Sequence, residues 1–86
     1  MKDPGFQFPC AYTIKAMGHN EQTFAAHIVR LLEPHTGPIE PANITCKPSR
    51  NQRYLSVNVT IQAHSHAQLD AIYQELTADP AVLMRL

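Results

Sequence analysis

Apolar and polar residues alternate from Pro9 to Met17. Cys10, Tyr12, Ile14 and Ala16 fall on one side, and Ala11, Thr13, Lys15 and Met17 on the other. A period of two is that of a half-buried strand, bounded here by Pro9 and Gly18. Gly18-His19-Asn20 reads as a turn with Asn20 as a helix N-cap, because Phe24, Ile28, Leu31 and Leu32 then follow at i, i+4, i+7 and i+8. Pro34 is expected to end that helix, and Thr36 to Pro41 to form a loop.

Two further strands are predicted. Asn43 to Lys47 turns Ile44 and Cys46 to one face. Arg53 to Ala63 is the clearest alternation in the chain, with Leu55, Val57, Val59, Ile61 and Ala63 inward and Tyr54, Ser56, Asn58, Thr60 and Gln62 outward. Pro48 to Gln52 reads as their hairpin loop. Ser65-His66-Ala67-Gln68 has the spacing of a capping box, and Leu69, Ile72, Tyr73 and Leu76 form a second apolar stripe. Asp79-Pro80 stops this helix. A last strand is expected over Ala81 to Leu86, with Val82, Met84 and Leu86 inward.

The element order is β-α-β-β-α-β, and two helices with one apolar stripe each can cover a single face of a four-stranded sheet. Right-handed crossovers and a hairpin between the second and third strands then predict an α+β, ferredoxin-like split β-α-β fold with an antiparallel sheet, its first and third strands central. Residues 1–8 are read as a tail and 9–86 as one domain. Cys10 and Cys46 share the inward face with a strand between them. Two strand spacings put them roughly 9–10 Å apart, beyond the ~7 Å Cα limit of a disulfide, so both are expected as free, buried thiols.

Composition narrows the function classes. In 86 residues, 44% are apolar and 16% charged, a globular balance rather than a disordered one. Formal net charge is zero, which removes bulk attraction to nucleic acid or an anionic membrane. No apolar run approaches a membrane span, and the polar Met1-Lys2-Asp3-Pro4-Gly5 start is no signal peptide, so a cytoplasmic location is expected. The zero hides a polarity. The charged residues within predicted strands, Lys15, Lys47, Arg53 and Arg85, are all basic, whereas the acids lie in the tail, helices and loops. By parity the uncovered sheet face collects Lys15, Lys47, Tyr54, Ser56, Leu83 and Arg85. That pattern suits an anionic ligand, an acidic partner or a second copy of the chain. It also suits a solvated face whose Lys and Arg blunt the sheet edges.

Candidate chemistry adds little. His64 and His66 flank the Ser65 cap, His19, His27 and His35 lack the i, i+4 ligand spacing, and no third ligand is near, so no metal or cofactor is expected. There is no nucleophile elbow, activated cysteine or Gly-rich phosphate loop, and no catalytic residue is assigned. RNA-recognition modules share the element order, but they stack bases on several sheet aromatics and here only Tyr54 faces outward, which disfavours nucleic acid. Gly18-His19-Asn20, leading into a helix N-terminus beside Lys15, reads first as an ordinary strand-to-helix turn and second as a candidate anion site.

The run Tyr12-Thr13-Ile14-Lys15-Ala16-Met17-Gly18 resembles the strand-one motif of the YbeD-like family of small bacterial proteins. Lys47-Pro48-Ser49 with Tyr54, Ser56 and Val57 is similar to its second motif, and Ile72-Tyr73-Gln74-Glu75-Leu76 to its third. The resemblance runs from about Phe8 to Leu86, departing at Gln52, where members often carry Gly. It implies a fold like the ACT regulatory domains, which bind small ligands near the turn after strand one, often at a dimer interface. Gly18, His19 and Asn20 would then line a site with Lys15, and some relatives are encoded near lipoate-attachment genes. The expectation is a non-catalytic, ACT-like regulatory module binding a small metabolite or a protein partner. Lys15, Gly18, His19 and Asn20 form its ligand end, and Lys47, Ser49, Tyr54, Ser56 and Arg85 its interaction surface. A protein–protein adaptor or homodimer using the basic sheet face, linked to lipoate metabolism, is the alternative.

Overall fold

The computed structural model describes residues 7–85. Four strands, β1 (Cys10–His19), β2 (Ile44–Pro48), β3 (Tyr54–Ala63) and β4 (Met84–Arg85), form an antiparallel sheet in the order β2-β3-β1-β4. Helices α1 (Phe24–Thr36) and α2 (His66–Ala78) cover one face. This is the ferredoxin-like α+β arrangement, with β1 and β3 central as parity and crossover handedness require. A 3-10 turn, Pro41–Asn43, leads into β2.

The core is built where the two periodicities meet. Ile14, Ala16, Val57, Val59, Ile61 and Ala63 from the sheet pack against Phe24, Ile28, Leu32, Leu69, Ile72 and Leu76 from the helices. Full burial stabilises the larger of these side chains by ~1.5–3 kcal/mol each. Ser65 caps α2 by accepting from the Gln68 N–H at 3.1 Å, and the Gln68 side chain accepts from the His64 N–H and donates to the His35 carbonyl. Two side-chain hydrogen bonds tie the helices together: His27 with Asp79 at 2.8 Å, and His35 with Glu75.

Several boundaries differ from expectation. Gly18 and His19 do not turn the chain. They extend β1 opposite Leu55 and Tyr54, and α1 begins only at Phe24, with Thr23 rather than Asn20 at its N-cap position. Gly18 is there for room: a Cβ on it would lie 2.4 Å from the Phe24 ring and 2.6 Å from the Ala81 carbonyl oxygen. Pro34 does not end α1, which runs on to Thr36. A proline in the last turn forfeits one bond, and Gly37, at φ 79°, closes the helix by donating to the Glu33 carbonyl.

Both cysteines are free, but neither is buried. Cys10 is half-buried at the start of β1, and Cys46 is exposed because β2 is an edge strand only partly covered by the helices. The final strand is shorter than expected and its parity is reversed. Val82 packs on the core from within a turn, its N–H donating to the Asp79 carbonyl, so alternation cannot be carried through it into β4. Arg85 therefore lies opposite buried Ala16 and Met84 opposite Met17. Leu86 and the first six residues lie outside the described residues; Phe8, from the expected tail, packs on the core edge-on to the His66 ring.

Candidate functional site

On the uncovered face the register sets side chains in rows across the sheet. One row runs Lys47, Ser56, Met17, Met84 from β2 to β4, and the next runs Thr45, Asn58, Lys15. On the other side of the first row, His19 and Tyr54 are cross-strand partners whose rings stack at 5.8 Å. Beyond Lys15 the Thr13 and Thr60 hydroxyls hydrogen-bond at 3.2 Å. Lys15, Met17, Lys47, Ser56, Asn58 and Met84 enclose a shallow depression of about 260 Å³. No carboxylate side chain projects from the described strand positions of this face, so among those positions its two lysines have no acidic neighbour.

The structure thus merges part of the expected ligand end with part of the expected interaction surface. Lys15 joins Lys47 and Ser56, and His19 joins Tyr54. The other candidates go elsewhere. Gly18 lies on the opposite, helix-covered side. Asn20 is a brace, its N–H donating to the Arg53 carbonyl and its amide to the Gln52 carbonyl, both at 2.9 Å. With the Glu21 N–H donating to the His19 carbonyl, the amides expected to cradle an anion are largely committed within the chain. Ser49 holds the hairpin: its hydroxyl accepts from the Tyr54 N–H and donates to the Asn51 side chain, while Gln52 adopts the left-handed region at φ 63°.

Arg85 is not on the uncovered face at all. It turns beneath α2, where its Nε donates to the Thr77 hydroxyl at 2.6 Å and its guanidinium lies 5.5 Å from the Tyr73 ring centre. There it lines a separate, open groove with Asp70, Tyr73, Gln74 and Thr77. The Tyr73 hydroxyl pairs with that of Tyr12 at 3.2 Å. Burial first, and this hydroxyl second, raise the Tyr73 phenol well above its ordinary pKa, with Arg85 opposing. Met17 and Met84 are the residues that sequence reasoning missed. Met17 was legible from β1 parity as outward-facing, whereas nothing in the pattern signalled that Met84 faces the same way.

No three of the described His, Cys, Asp and Glu residues gather as metal ligands would, and no described helix is long and apolar enough to cross a membrane. The architecture is that of a small ferredoxin-like module with one open sheet face. A family model described as "Protein of unknown function (DUF493)" matches residues 3–86. The UPF0250 protein NE1487 of Nitrosomonas europaea is 36% identical over 80 residues, covering 93% of this chain and 92% of its own. A UPF0250 protein of Vesicomyosocius okutanii is 42% identical over 71 residues, covering 83% and 77%. The chain belongs to this DUF493, or UPF0250, family of uncharacterised bacterial proteins, the YbeD-like group its motifs resemble. Its fold is matched by the solution structure of HP0495 from Helicobacter pylori, with a TM-score of 0.77 at 22% identity over 99% of this chain and 89% of that one.

Proposed function

We propose that the chain is a non-catalytic, cytoplasmic regulatory module of the ACT-like kind that docks a protein partner on its uncovered sheet face. The observation that carries this is the convergence of Lys15 and Lys47 with the Met17 and Met84 thioethers on a face whose described strand positions bear no acid. Methionine is flexible and polarisable and recurs on surfaces that adapt to a partner, while uncompensated cations supply steering and discrimination. A protein is favoured over a small metabolite for two reasons. The depression of about 260 Å³ is shallow and falls below the ~300–1,000 Å³ of typical ligand pockets. The amide cradle that a small anion would use is largely occupied by the chain itself.

Site-specific photocrosslinking in bacterial cells tests this. A crosslinking residue in place of Asn58, at the centre of the face, is expected to trap a discrete protein, and one in place of Gln74, on α2, to trap none. The Lys15→Glu/Lys47→Glu pair is expected to abolish the Asn58 adduct. Adducts of equal yield at both positions, unaffected by charge reversal, would overturn the assignment.

A further inference from the structure

We infer that the occupant of this face is an acidic amphipathic helix of the partner protein, bearing two carboxylates about two turns apart with an apolar residue between them. This rests on the docking role proposed above and adds the chemistry of the partner.

The spacing comes from the register. Lys47 stands opposite Ser56, which stands opposite Met17, and Lys15 is two residues along β1 from Met17. Two strand spacings and a two-residue offset separate the lysine Cα atoms by about 12 Å. Seven residues of α-helix advance roughly 10–11 Å, so acids at i and i+7 meet both ammonium groups with the lysine stems extended. Ser56 and Asn58 of β3 lie directly between the two lysines, and a side chain at i+3 or i+4, turned to one side of the acid stripe, leans toward β4 and onto Met17, with Met84 beyond it. Apolar anchors at this spacing, flanked by charge, are the usual content of helix-in-groove recognition.

Other occupants fit less well. A second copy placed face to face would oppose Lys15 and Lys47 to their own equivalents, a like-charge juxtaposition. A second copy placed helix to face would be head-to-tail, giving a ring or an open filament rather than a two-fold pair. An extended peptide added beside β2 would find a blunted edge. Pro48 has no N–H, and the Ile44 N–H already donates to the Pro41 carbonyl.

The test uses the full chain, labelled at backbone nitrogens and methionine methyls and followed by NMR. The first probe is an 18-residue peptide designed as an amphipathic helix with Glu at i and i+7 and Leu between. The second replaces both Glu by Lys, the third is glutarate, and the fourth is a single-stranded oligouridylate. The acidic peptide is expected to shift the Met17 and Met84 methyls and the Lys15 and Lys47 amides saturably, with the Lys peptide silent. Lys47→Glu is expected to weaken binding about tenfold or more. Saturable shifts at Lys15 and Lys47 from glutarate, with the acidic peptide silent, would overturn the helix and leave a small-anion site on the same face. Shifts centred on His19 and Tyr54 from the oligouridylate, again with the peptide silent, would replace it with a nucleic-acid surface. No response at this face to any probe would remove the helix, while the presence or absence of the Asn58 crosslink decides the docking role separately.

Discussion

Gly18 offers the sharpest test of the packing. It sits on the helix-covered side of β1 where α1 and the segment before β4 converge. The Cβ of Gly18→Ala would lie 2.4–2.5 Å from two Phe24 ring carbons and 2.6 Å from the Ala81 carbonyl oxygen. Ordinary carbon contacts are ~3.5–4.0 Å, so the neighbours must yield by about 1 Å. Phe24 is only 4% exposed and held by the core, and the Ala81 group is backbone, so neither is a free side-chain end that swings away. Overpacking of this kind costs ~1–3 kcal/mol, and with contacts on two sides we expect about 3 kcal/mol. For a domain of this size that lowers Tm by roughly 12–24 °C. Thermal and urea unfolding followed by circular dichroism would measure it. Phe24→Leu, which removes the ring edge, should make Gly18→Ala cheaper by ~1 kcal/mol or more in the double-mutant cycle. A loss below about 1 kcal/mol for Gly18→Ala, or strict additivity with Phe24→Leu, would refute the close approach.

Other expectations follow from single residues. Gln52→Gly relieves a left-handed non-glycine residue at φ 63° and should raise stability by ~0.5–1 kcal/mol in urea unfolding, whereas Gln52→Val should lower it. Ser65→Ala removes the cap on the Gln68 N–H and should cost ~1 kcal/mol, with loss of amide exchange protection confined first to the start of α2. The Tyr73 phenol is held above its ordinary value of 10.0, so its neutral form is the one that folding favours. The resulting stability is fully present below about pH 10 and is lost as the pH rises through the raised folded value. Tyr73→Phe should flatten that alkaline loss and delete the latest phenolate step in an ultraviolet titration. An unchanged alkaline limb would exclude the assignment.

The legible parts of the fold were those where one residue type serves one physical purpose. Alternation in β1 and β3 marked the inward faces, the Leu69 to Leu76 stripe marked α2, and Ser65 marked its start. The misplacements came from residues whose type serves more than one purpose. Glycine usually signals a turn, but Gly18 is a gap for Phe24, a tertiary need invisible along the chain. Asparagine usually caps a helix, but Asn20 braces the hairpin four residues before α1 starts. Proline usually breaks a helix, yet Pro34 falls where only one more bond was at stake. The candidate site was half legible for the same reason. Lys15, Lys47, Ser56 and Tyr54 lie on strands whose parity is continuous, while Arg85 and Met84 follow a turn that resets it.

The sheet's ladder order also has a consequence for how the molecule assembles. β2 and β3 are joined by a short loop, and their register closes from Pro48 opposite Leu55. The central β1–β3 ladder, in contrast, joins residues from 35 positions apart, His19 with Tyr54, to 53 apart, Cys10 with Ala63. Loop-closure entropy therefore falls on the two pairings that β1 makes, with β3 and with the short β4, and non-local pairing of this kind is what slows folding. The hairpin has the cheaper route to order, and β1 is the strand that joins it across the long loop and then receives β4 on its other edge. Until it does, the β1-facing edge of β3 is an open template, so the nascent chain is most exposed to mispairing with its neighbours during that interval.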